Sequence, residues 1–551
     1  MPAVPEHGEG GRVTSSARYA VLTAASIAIA ILMTWPLGRV TDVVIPASDD
    51  VHFSIWRLAW VAHQLPQDPR HLFDANIFYP AEGTLAFSDA MLLVGAIGLP
   101  FFHAGVSPAI VHNYLMLAAI VSSMLCAFAL ARRVTGSNLA AWLAAVIFGL
   151  APYRMAHIGH LELQWTMWMP LAMLLLHRLM EKPTLARGFA LGLALAAQVF
   201  CSIYYGLFLA CYLAAAWLVL VPFEKAKGRI AAATAIAVVP LLLVAAIYGP
   251  PYSATRAHVG ERGADEVATY SAVPGDYLRV PQENALRGSP NSGPAPDERS
   301  LFPGFIAVLL AICAFVPPFS RTSIAYLILA IIAAGLSLGV NGLLFTGLQT
   351  LFGMAASLRS PARFGVLVLL SVSTLASIGA ARVYRRWPRR APLVSVWLTL
   401  LCLAEYWSPV GVRHYDPRPG EVDTWLASNP AGTVVLELPA PTGSTLWLHE
   451  PEYQLRSIHH WQPLVNGYSA FAPEAYVRLI NELPDFPERH VIAALREIGA
   501  KYILVHRQHL QAENFDRLMQ KVEASTRVRQ VRLFGEGQRE VVVLELNYDP
   551  E

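Results

Sequence analysis

The sequence predicts a mainly α-helical, polytopic membrane protein with a small C-terminal α/β domain. Hydrophobic residues make up 55% of the chain and charged residues only 15%, and the mean hydropathy is +0.43. A soluble chain of 551 residues needs more charge than this to cover its surface. Long apolar runs recur along most of the chain, and the pattern changes near residue 412. The formal net charge of +2 gives no indication of nucleic-acid binding.

The apolar runs predict about eleven transmembrane helices, because a helix needs about 20 apolar residues to cross the hydrocarbon core. The first run is too long for a signal-peptide core and lacks a convincing cleavage site, so we expect it to be retained. The shorter run "AMLLVGAIGLPFFHAG" contains Gly and Pro and predicts a re-entrant or interfacial helix. The predicted spans lie near residues 17–37, 109–131, 138–151, 162–180, 187–203, 204–222, 230–249, 302–318, 323–340, 363–382 and 391–409.

Basic residues alternate between successive short loops, which predicts the orientation in the membrane. One set of loops is rich in Lys and Arg, for example "RVYRRWPRR", whereas "CSIYYG" in the other set has none. We therefore expect the N-terminus to be cytoplasmic. A transmembrane domain over residues 1–411 would then carry outer loops at 40–108, 250–301 and 341–362, and residues 412–551 would form an extracytoplasmic α/β domain.

The C-terminal region predicts strands and helices of a folded domain. "TVVLELP", "KYILVHR" and "EVVVLEL" are typical of short buried strands, and "PERHVIAALREIGA" of an amphipathic helix.

Carboxylates are concentrated in the loops assigned to the outer face. The cytoplasmic loops contain Glu181 and Glu224. The outer loops contain Asp42, Asp49, Asp50, Asp68, Asp74, Glu82, Asp89, Glu162, Asp265, Glu266, Asp276, Asp297 and Glu298. The positive-inside rule concerns basic residues and does not demand this asymmetry, so the outer face has acidic groups where the head group of a lipid-linked substrate would lie.

Adjacent aspartates follow the first span in "IPASDDVHFSIWRLAW". One carboxylate can cap a helix that begins near Val51, which accounts for one aspartate only. As an alternative, Asp49 and Asp50 are candidate catalytic residues, because a carboxylate can deprotonate an acceptor hydroxyl and two like charges tend to recruit a cation. His52 is a candidate substrate-binding residue. The aromatic segment that follows predicts a helix on the membrane surface.

A second polar group lies in "APYRMAHIGHLELQW". His157 and His160 are three residues apart, on one face if the segment is helical, and with Glu162 they can bind metal or phosphate. Interfacial hydrogen bonding at the membrane boundary explains them equally well. Tyr153 and Arg154 belong to the same polar group.

Two further pairs of candidate binding residues lie at predicted outer ends of spans. Tyr204 and Tyr205 in "CSIYYG" are expected to be exposed outward, as aromatic anchors or as sugar-stacking groups. Arg359 and Arg363 in "SLRSPARFG" break the positive-inside pattern. Binding of a lipid phosphate explains these arginines, and so does snorkelling to outer-leaflet head groups.

Together these motifs resemble the bacterial GT-C membrane glycosyltransferases, a class that includes aminoarabinose transferases, protein O-mannosyltransferases and the catalytic subunit of oligosaccharyltransferase. Within the class, the chain resembles multi-span proteins allied to the YfhO group. The resemblance extends from about residue 45 to 506. It depends on Asp49–Asp50, "FGLAPYRMAHIGHLELQWTMWMPL", "YYG", "YSAVPGDYL", "ERSLFPG", "RSPARFG", "QPLVNGYSAF" and "FPERHVIAALREIGAKYILVH".

The resemblance implies an enzyme of the bacterial cytoplasmic (inner) membrane that uses a polyprenyl-phosphate-linked sugar. The sugar would pass to a glycan, lipid or protein acceptor on the outer face with inversion at the anomeric carbon. The resemblance implies that Asp49 or Asp50 is the base, that Arg359 and Arg363 bind the lipid phosphate, and that His157, His160 and Glu162 belong to the site. Some members of the class use a divalent cation and others do not, which leaves Mg²⁺ or Mn²⁺ open.

The rival hypotheses are a transporter or flippase for lipid-linked glycans and a non-catalytic assembly factor. A transporter requires ionisable residues along a pathway within the membrane. The predicted spans are nearly free of charges at mid-membrane, and the polar residues gather on one face, which favours a one-sided enzyme.

Overall fold

The computed structural model describes residues 10–39, 41–221, 227–259, 263–288, 297–352, 358–441 and 449–547. The chain divides into two compact units. Unit 1 comprises Met1–Pro46, Asn113–Ala245 and Glu261–Arg413, and unit 2 comprises Ala47–His112, Ala246–Gly260 and His414–Glu551.

Helices dominate the part of the chain that the structure describes. In chain order they are α1 (Gly10–Met33), α2 (Asp49–Gln67), α3 (Leu92–His103), α4 (Pro108–Thr135), α5 (Asn138–Leu150), α6 (Pro152–Ala156), α7 (Leu161–Gln164), α8 (Trp168–Glu181), α9 (Leu185–Cys201), α10 (Ile203–Leu220), α11 (Lys227–Ala235), α12 (Val238–Val259), α13 (Ala264–Thr269), α14 (Phe305–Cys313), α15 (Arg321–Ser337), α16 (Leu343–Phe352), α17 (Gly365–Arg386), α18 (Ala391–Tyr406), α19 (Glu421–Ala427), α20 (Glu450–Arg456), α21 (Glu474–Glu482), α22 (Arg489–Ile498) and α23 (Ala512–Glu523).

Five helical stretches in the described residues are long and apolar enough to cross a membrane. They are Pro108–Thr135, Asn138–Ala156, Ile203–Leu220, Gly228–Arg256 and Pro361–Arg386. Shorter apolar helices lie at Tyr19–Met33, Leu92–His103, Leu185–Cys201, Arg321–Ser337 and Ala391–Tyr406. Each predicted span contains a helix, but 162–180 is divided between α7 and α8, 230–249 is divided between α11 and α12, and 302–318 has a helix only over α14. The count of eleven spans therefore stays a prediction.

The apolar surface of unit 1 is typical of a protein surrounded by lipid. Leu242 and Leu243 on α12 are about 60% exposed, and large exposed apolar patches are rare on soluble monomers. In contrast, α17 is apolar over most of its length and almost completely buried, as a helix that is hydrophobic all round should be. The chain is accordingly a multi-pass membrane protein.

Unit 2 contains the predicted sheet. Four strands of unit 2 form one sheet in the order β3-β4-β6-β5. They are β3 (Val435–Leu438), β4 (Tyr502–His506), β5 (Val528–Phe534) and β6 (Val541–Leu546). The two short strands that precede them along the chain, β1 (Val44–Pro46) and β2 (Val412–His414), are not part of this sheet. β3 pairs parallel to β4, and β6 pairs antiparallel to both β4 and β5.

The sheet confirms the α/β character predicted for the C-terminal region. The three predicted strands correspond to β3, β4 and β6, and the predicted amphipathic helix corresponds to α22. Residues 47–112 belong to the same compact unit as this sheet. Compactness does not report membrane topology, so the expected domains, 1–411 and 412–551, stay a prediction.

Candidate functional site

The two adjacent aspartates occupy the first turn of α2. The helix begins at Asp49, two residues before Val51, with Ser48 as its N-cap. The expectation that one aspartate caps the helix is therefore wrong, because both lie inside it. Carboxylates in a first turn interact favourably with the positive end of the helix dipole. Asp49 is exposed, Asp50 is half-buried, and His52 lies one turn further along and is half-buried.

A tyrosine from the C-terminal part of unit 2 holds Asp50. The hydroxyl of Tyr468 donates a hydrogen bond to Asp50 Oδ1 at 2.9 Å. The Tyr468 backbone N–H donates to Gln454 Oε1 at 2.7 Å, and its ring contacts Phe53 edge-on with a centroid distance of 5.3 Å. Because the tyrosine is fixed at its backbone, ring and hydroxyl, the position of the Asp50 carboxylate is fixed as well.

The aromatic segment after the aspartates forms α2, and most of this helix is packed inside the protein. All of its residues from Phe53 to Ala62 are buried, including Arg57. Arg57 donates to the backbone oxygen of Asp89 at 2.7 Å and to Ser54 Oγ at 3.0 Å. Burial within the protein does not report the position of this helix relative to the membrane, so its location on the membrane surface stays a prediction.

Unit 2 also contains a cluster of potential metal-ligating side chains that was not predicted from the sequence. His449 is the N-cap of α20, Glu452 lies in its first turn, and His509 ends a short 3₁₀ helix after β4. One ligand atom from each of the three lies within 4.8 Å of the others. The signal in the sequence is the spacing of His449 and Glu452, but His509 is far away along the chain.

The electrostatics of this group connect it with the acidic pair. Burial and the neighbouring His506 lower the pKa of His449, whereas the charge of Asp49 acts in the opposite direction. Burial, with His449 and His506, lowers the pKa of His509 to about 3. Both imidazoles are therefore neutral near pH 7, which is the form that coordinates metal ions.

In unit 1 the central feature is a buried carboxylate with two partners. Arg363 Nε donates to both carboxylate oxygens of Glu298 at 2.9 Å, and Arg363 Nη2 donates to Glu298 Oε1. His157 Nε2 lies 3.2 Å from Glu298 Oε2. Burial alone would raise the pKa of Glu298, but Arg363 and His157 hold it well below its usual range. Arg363, predicted to bind lipid phosphate, thus already has an anionic partner.

The other predicted residues of this unit are also engaged with protein groups. The hydroxyls of Tyr153 and Tyr205 are 2.9 Å apart, and Tyr205 is completely buried, so the expectation that it is exposed is wrong. Arg154 Nη2 donates to the backbone oxygen of Gln164 at 3.0 Å.

The four remaining candidates, Arg359, His160, Glu162 and Tyr204, also have neighbouring protein groups. Arg359 Nε is 3.8 Å from Glu266 Oε1, and its guanidinium lies 4.8 Å from the ring centroid of Tyr270. His160 Nδ1 is 3.6 Å from Glu162 Oε1. The half-buried Tyr204 has the guanidinium of Arg363 at 5.8 Å from its ring centroid.

The structure therefore groups the predicted residues by unit. Asp49, Asp50 and His52 belong to unit 2, where Tyr468 and the His449 group join them. The other predicted residues belong to unit 1, where Glu298 connects His157 with Arg363. The role of each residue in binding or catalysis stays a prediction.

Comparison with known proteins identifies relatives by structure alone. No family model matches the chain, and a search of curated proteins finds no match. An arabinofuranosyltransferase, AftD, from Mycobacteria superposes with a TM-score of 0.65 and 14% identity over 96% of this chain. The chain spans only 40% of the length of that protein.

A second solved structure is also similar to this chain. The oligosaccharyltransferase of Archaeoglobus fulgidus, tethered to an acceptor peptide, superposes with a TM-score of 0.53 and 13% identity, over 88% of this chain and 68% of its own. At such identities the likeness is one of fold. The resemblance predicted from the motifs is confirmed at that level: the chain has the fold of the GT-C membrane glycosyltransferases.

Proposed function

We propose that this protein is a membrane glycosyltransferase that moves a sugar from a polyprenyl-phosphate carrier to a glycan, lipid or protein acceptor. The observation that carries the proposal is the acidic pair at the start of α2, with Asp50 held by Tyr468. The GT-C fold supports it, because glycosyltransferases share that fold. The donor, the acceptor and inversion at the anomeric carbon belong to the proposal.

In the proposed reaction a carboxylate of the pair accepts the proton of the acceptor hydroxyl. The acceptor oxygen forms a bond to the anomeric carbon while the bond from that carbon to the phosphate oxygen breaks. The bonding pair leaves with the lipid phosphate. A positioned base of this kind contributes about 10²–10⁴-fold to the rate.

The pair offers two candidates for the base. Asp50 is fixed by the Tyr468 hydroxyl, whereas Asp49 is more exposed and its charge acts on His449. The hydrogen bond from Tyr468 sets the orientation of the Asp50 carboxylate. We propose Asp50 as the base and Asp49 as a supporting group.

The experiment begins with the donor, which mass spectrometry of lipids co-purified with the full-length protein can identify. Transfer from that lipid is then measured in nanodiscs for the wild type, Asp49→Asn, Asp50→Asn and the double variant. We expect the double variant to lose at least about 100-fold in rate. Asp516→Asn, an exposed position on α23, is the matched control and should retain the wild-type rate.

The outcomes separate the rival functions. Wild-type transfer by the double variant would overturn the proposed base. A wild type that transfers no sugar but translocates fluorescent lipid-linked glycan would make the protein a flippase.

The proposed location of the C-terminal region on the outer face is tested separately, with a reporter enzyme that is active only outside the cytoplasm, fused after Glu551. We expect activity of that reporter outside the cytoplasm. Activity of a cytoplasmic reporter at the same position would invert the proposed topology.

A further inference from the structure

The group formed by His449, Glu452 and His509 has the composition of a transition-metal site. It offers two imidazole nitrogens and one carboxylate oxygen. Imidazole ligands suit Zn²⁺ and related transition metals, whereas Mg²⁺ and Mn²⁺ prefer sites made of oxygen. Two histidines with one glutamate, and a fourth position left for water, is a known catalytic arrangement for zinc.

The spacing of the three side chains fits an ion of this size. Zinc bonds to nitrogen and oxygen are about 2.0–2.2 Å long, so tetrahedral ligand atoms lie about 3.4 Å apart. Glu452 Oε2 and His509 Nε2 are 3.6 Å apart, and every pair in the group is within 4.8 Å. The rings of His449 and His509 are stacked with centroids 3.9 Å apart, and rotation of these rings would bring their nitrogens to a shared ion.

The backbone already holds the three ligands at fixed places. His449 and Glu452 are three residues apart across the start of α20, so they project from the same side of one turn. His509 follows β4 directly through a single 3₁₀ turn. Metal sites are most precise when rigid elements carry their ligands.

A cavity of about 290 Å³ supplies space and charge beside the group. Glu452 and His509 line it, together with Glu437 and His506. The His506 and Glu437 side chains are hydrogen-bonded to each other. The carboxylates that line the cavity outnumber its arginines: they are Asp416, Asp423, Glu437 and Glu452 against Arg456 and Arg539.

We propose that His449, Glu452 and His509 bind one divalent transition-metal ion of the zinc type, with a fourth position available to water or to a ligand. The proposal concerns metal binding and does not rest on the proposed transferase function.

The test uses the full-length protein without a histidine tag, purified in detergent. The protein is stripped with a chelator and then titrated with Zn²⁺ and, separately, with Co²⁺. We expect close to one equivalent of zinc by elemental analysis and visible absorption bands of tetrahedral cobalt. Millimolar Mg²⁺ should not displace the cobalt.

Variants assign the ligands. Glu452→Gln and His509→Gln should weaken cobalt affinity by at least about 100-fold, since removing even an outer-shell group costs 10–100-fold. His490→Gln is the matched control, because His490 is an exposed histidine of the same unit, 3.4 Å from Asp485. Its affinity should equal that of the wild type.

Two results would overturn the proposal. The first is a wild type that binds no zinc or cobalt at micromolar metal, in which case Glu452 and His509 form an ordinary ion pair. The second is a cobalt spectrum that survives unchanged in His509→Gln. The wild-type titration decides the question even if a variant fails to fold.

Discussion

Glu298 of unit 1 and the Asp49–Asp50 pair of unit 2 differ in burial and in whether a charged partner neutralises the carboxylate. In unit 1, Glu298 is buried and bonded by Arg363 and His157. In unit 2, Asp49 is exposed and Asp50 half-buried, and the neutral hydroxyl of Tyr468 donates to Asp50. A charge neutralised in the interior stabilises the fold only while its partner remains. A carboxylate that keeps contact with solvent can accept a proton, so the comparison separates a structural carboxylate from a candidate catalytic one.

The largest expected effect comes from removing the cation that is paired with the buried Glu298. Arg363→Gln leaves Glu298 without its guanidinium, and we expect a loss of about 3–5 kcal/mol in the free energy of unfolding. The double variant Arg363→Gln, Glu298→Gln should recover part of that loss, because no uncompensated charge remains. Thermal unfolding of the single and the double variant in detergent measures both changes in stability.

The acidic pair provides the control for that prediction. Asp50→Asn should leave the melting temperature within about 2 °C of the wild type, since it removes one charge–dipole and one hydrogen-bond contribution at a half-exposed site. If Asp50→Asn destabilised the protein as much as Arg363→Gln, both carboxylates would be structural and the distinction would be lost.

Glu450 of unit 2 is buried like Glu298, but its hydrogen-bond donors are uncharged. Glu450 accepts hydrogen bonds from Asn466 Nδ2 at 3.1 Å and from the Gly467 N–H at 3.0 Å. Burial raises its pKa to about 8, whereas the partners of Glu298 lower the pKa of that residue. Between pH 4.5, the ordinary pKa of a glutamate, and pH 8, Glu450 is protonated in the folded state and ionised in the unfolded state.

The stability that Glu450 contributes is therefore present at low pH and lost as the pH rises towards 8. In Glu450→Gln this decline should disappear, so the difference in unfolding free energy between wild type and variant should change by a few kcal/mol from pH 5 to pH 8. Denaturant unfolding at both pH values measures it. An equal difference at the two pH values would mean that Glu450 is ionised throughout.

The smallest expected effect tests how Asp50 is positioned. Tyr468→Phe removes the hydroxyl that donates to Asp50 Oδ1 and keeps the ring against Phe53. We expect the transfer rate to fall about 3- to 10-fold, in line with about 1 kcal/mol for one hydrogen bond, with little change in melting temperature. Tyr502→Phe is a suitable control because that ring belongs to the hydrophobic core of the sheet. An unchanged rate in Tyr468→Phe would mean that the hydroxyl has no part in positioning the base.

Most of the secondary structure was predictable because it depends on local patterns. The apolar runs, the three buried strands and the amphipathic α22 each have the period of their element. β5 was missed because its burial is low and it carries Arg529 and Arg532 at exposed positions, which is typical of an edge strand. The helical start at Asp49 was missed by two residues, within the usual uncertainty of element ends.

The site was predictable only in part. The Asp49–Asp50 pair stands out because two charges follow an apolar run, and Arg363 because it breaks the positive-inside pattern. Which group each one meets was not predictable, since Glu298 is 65 residues from Arg363 and Tyr468 is 418 residues from Asp50.

The sequence by itself determined that this is a membrane protein with a C-terminal α/β region, because hydropathy and periodicity are properties of neighbouring residues. The likeness to the GT-C fold came from the resemblance of its motifs to that class. Only the tertiary structure decided that Arg363 is neutralised, that Tyr205 is buried, and that His449, Glu452 and His509 meet. Burial and charge pairing depend on segments distant along the chain, and local patterns carry no information about which of those segments come together.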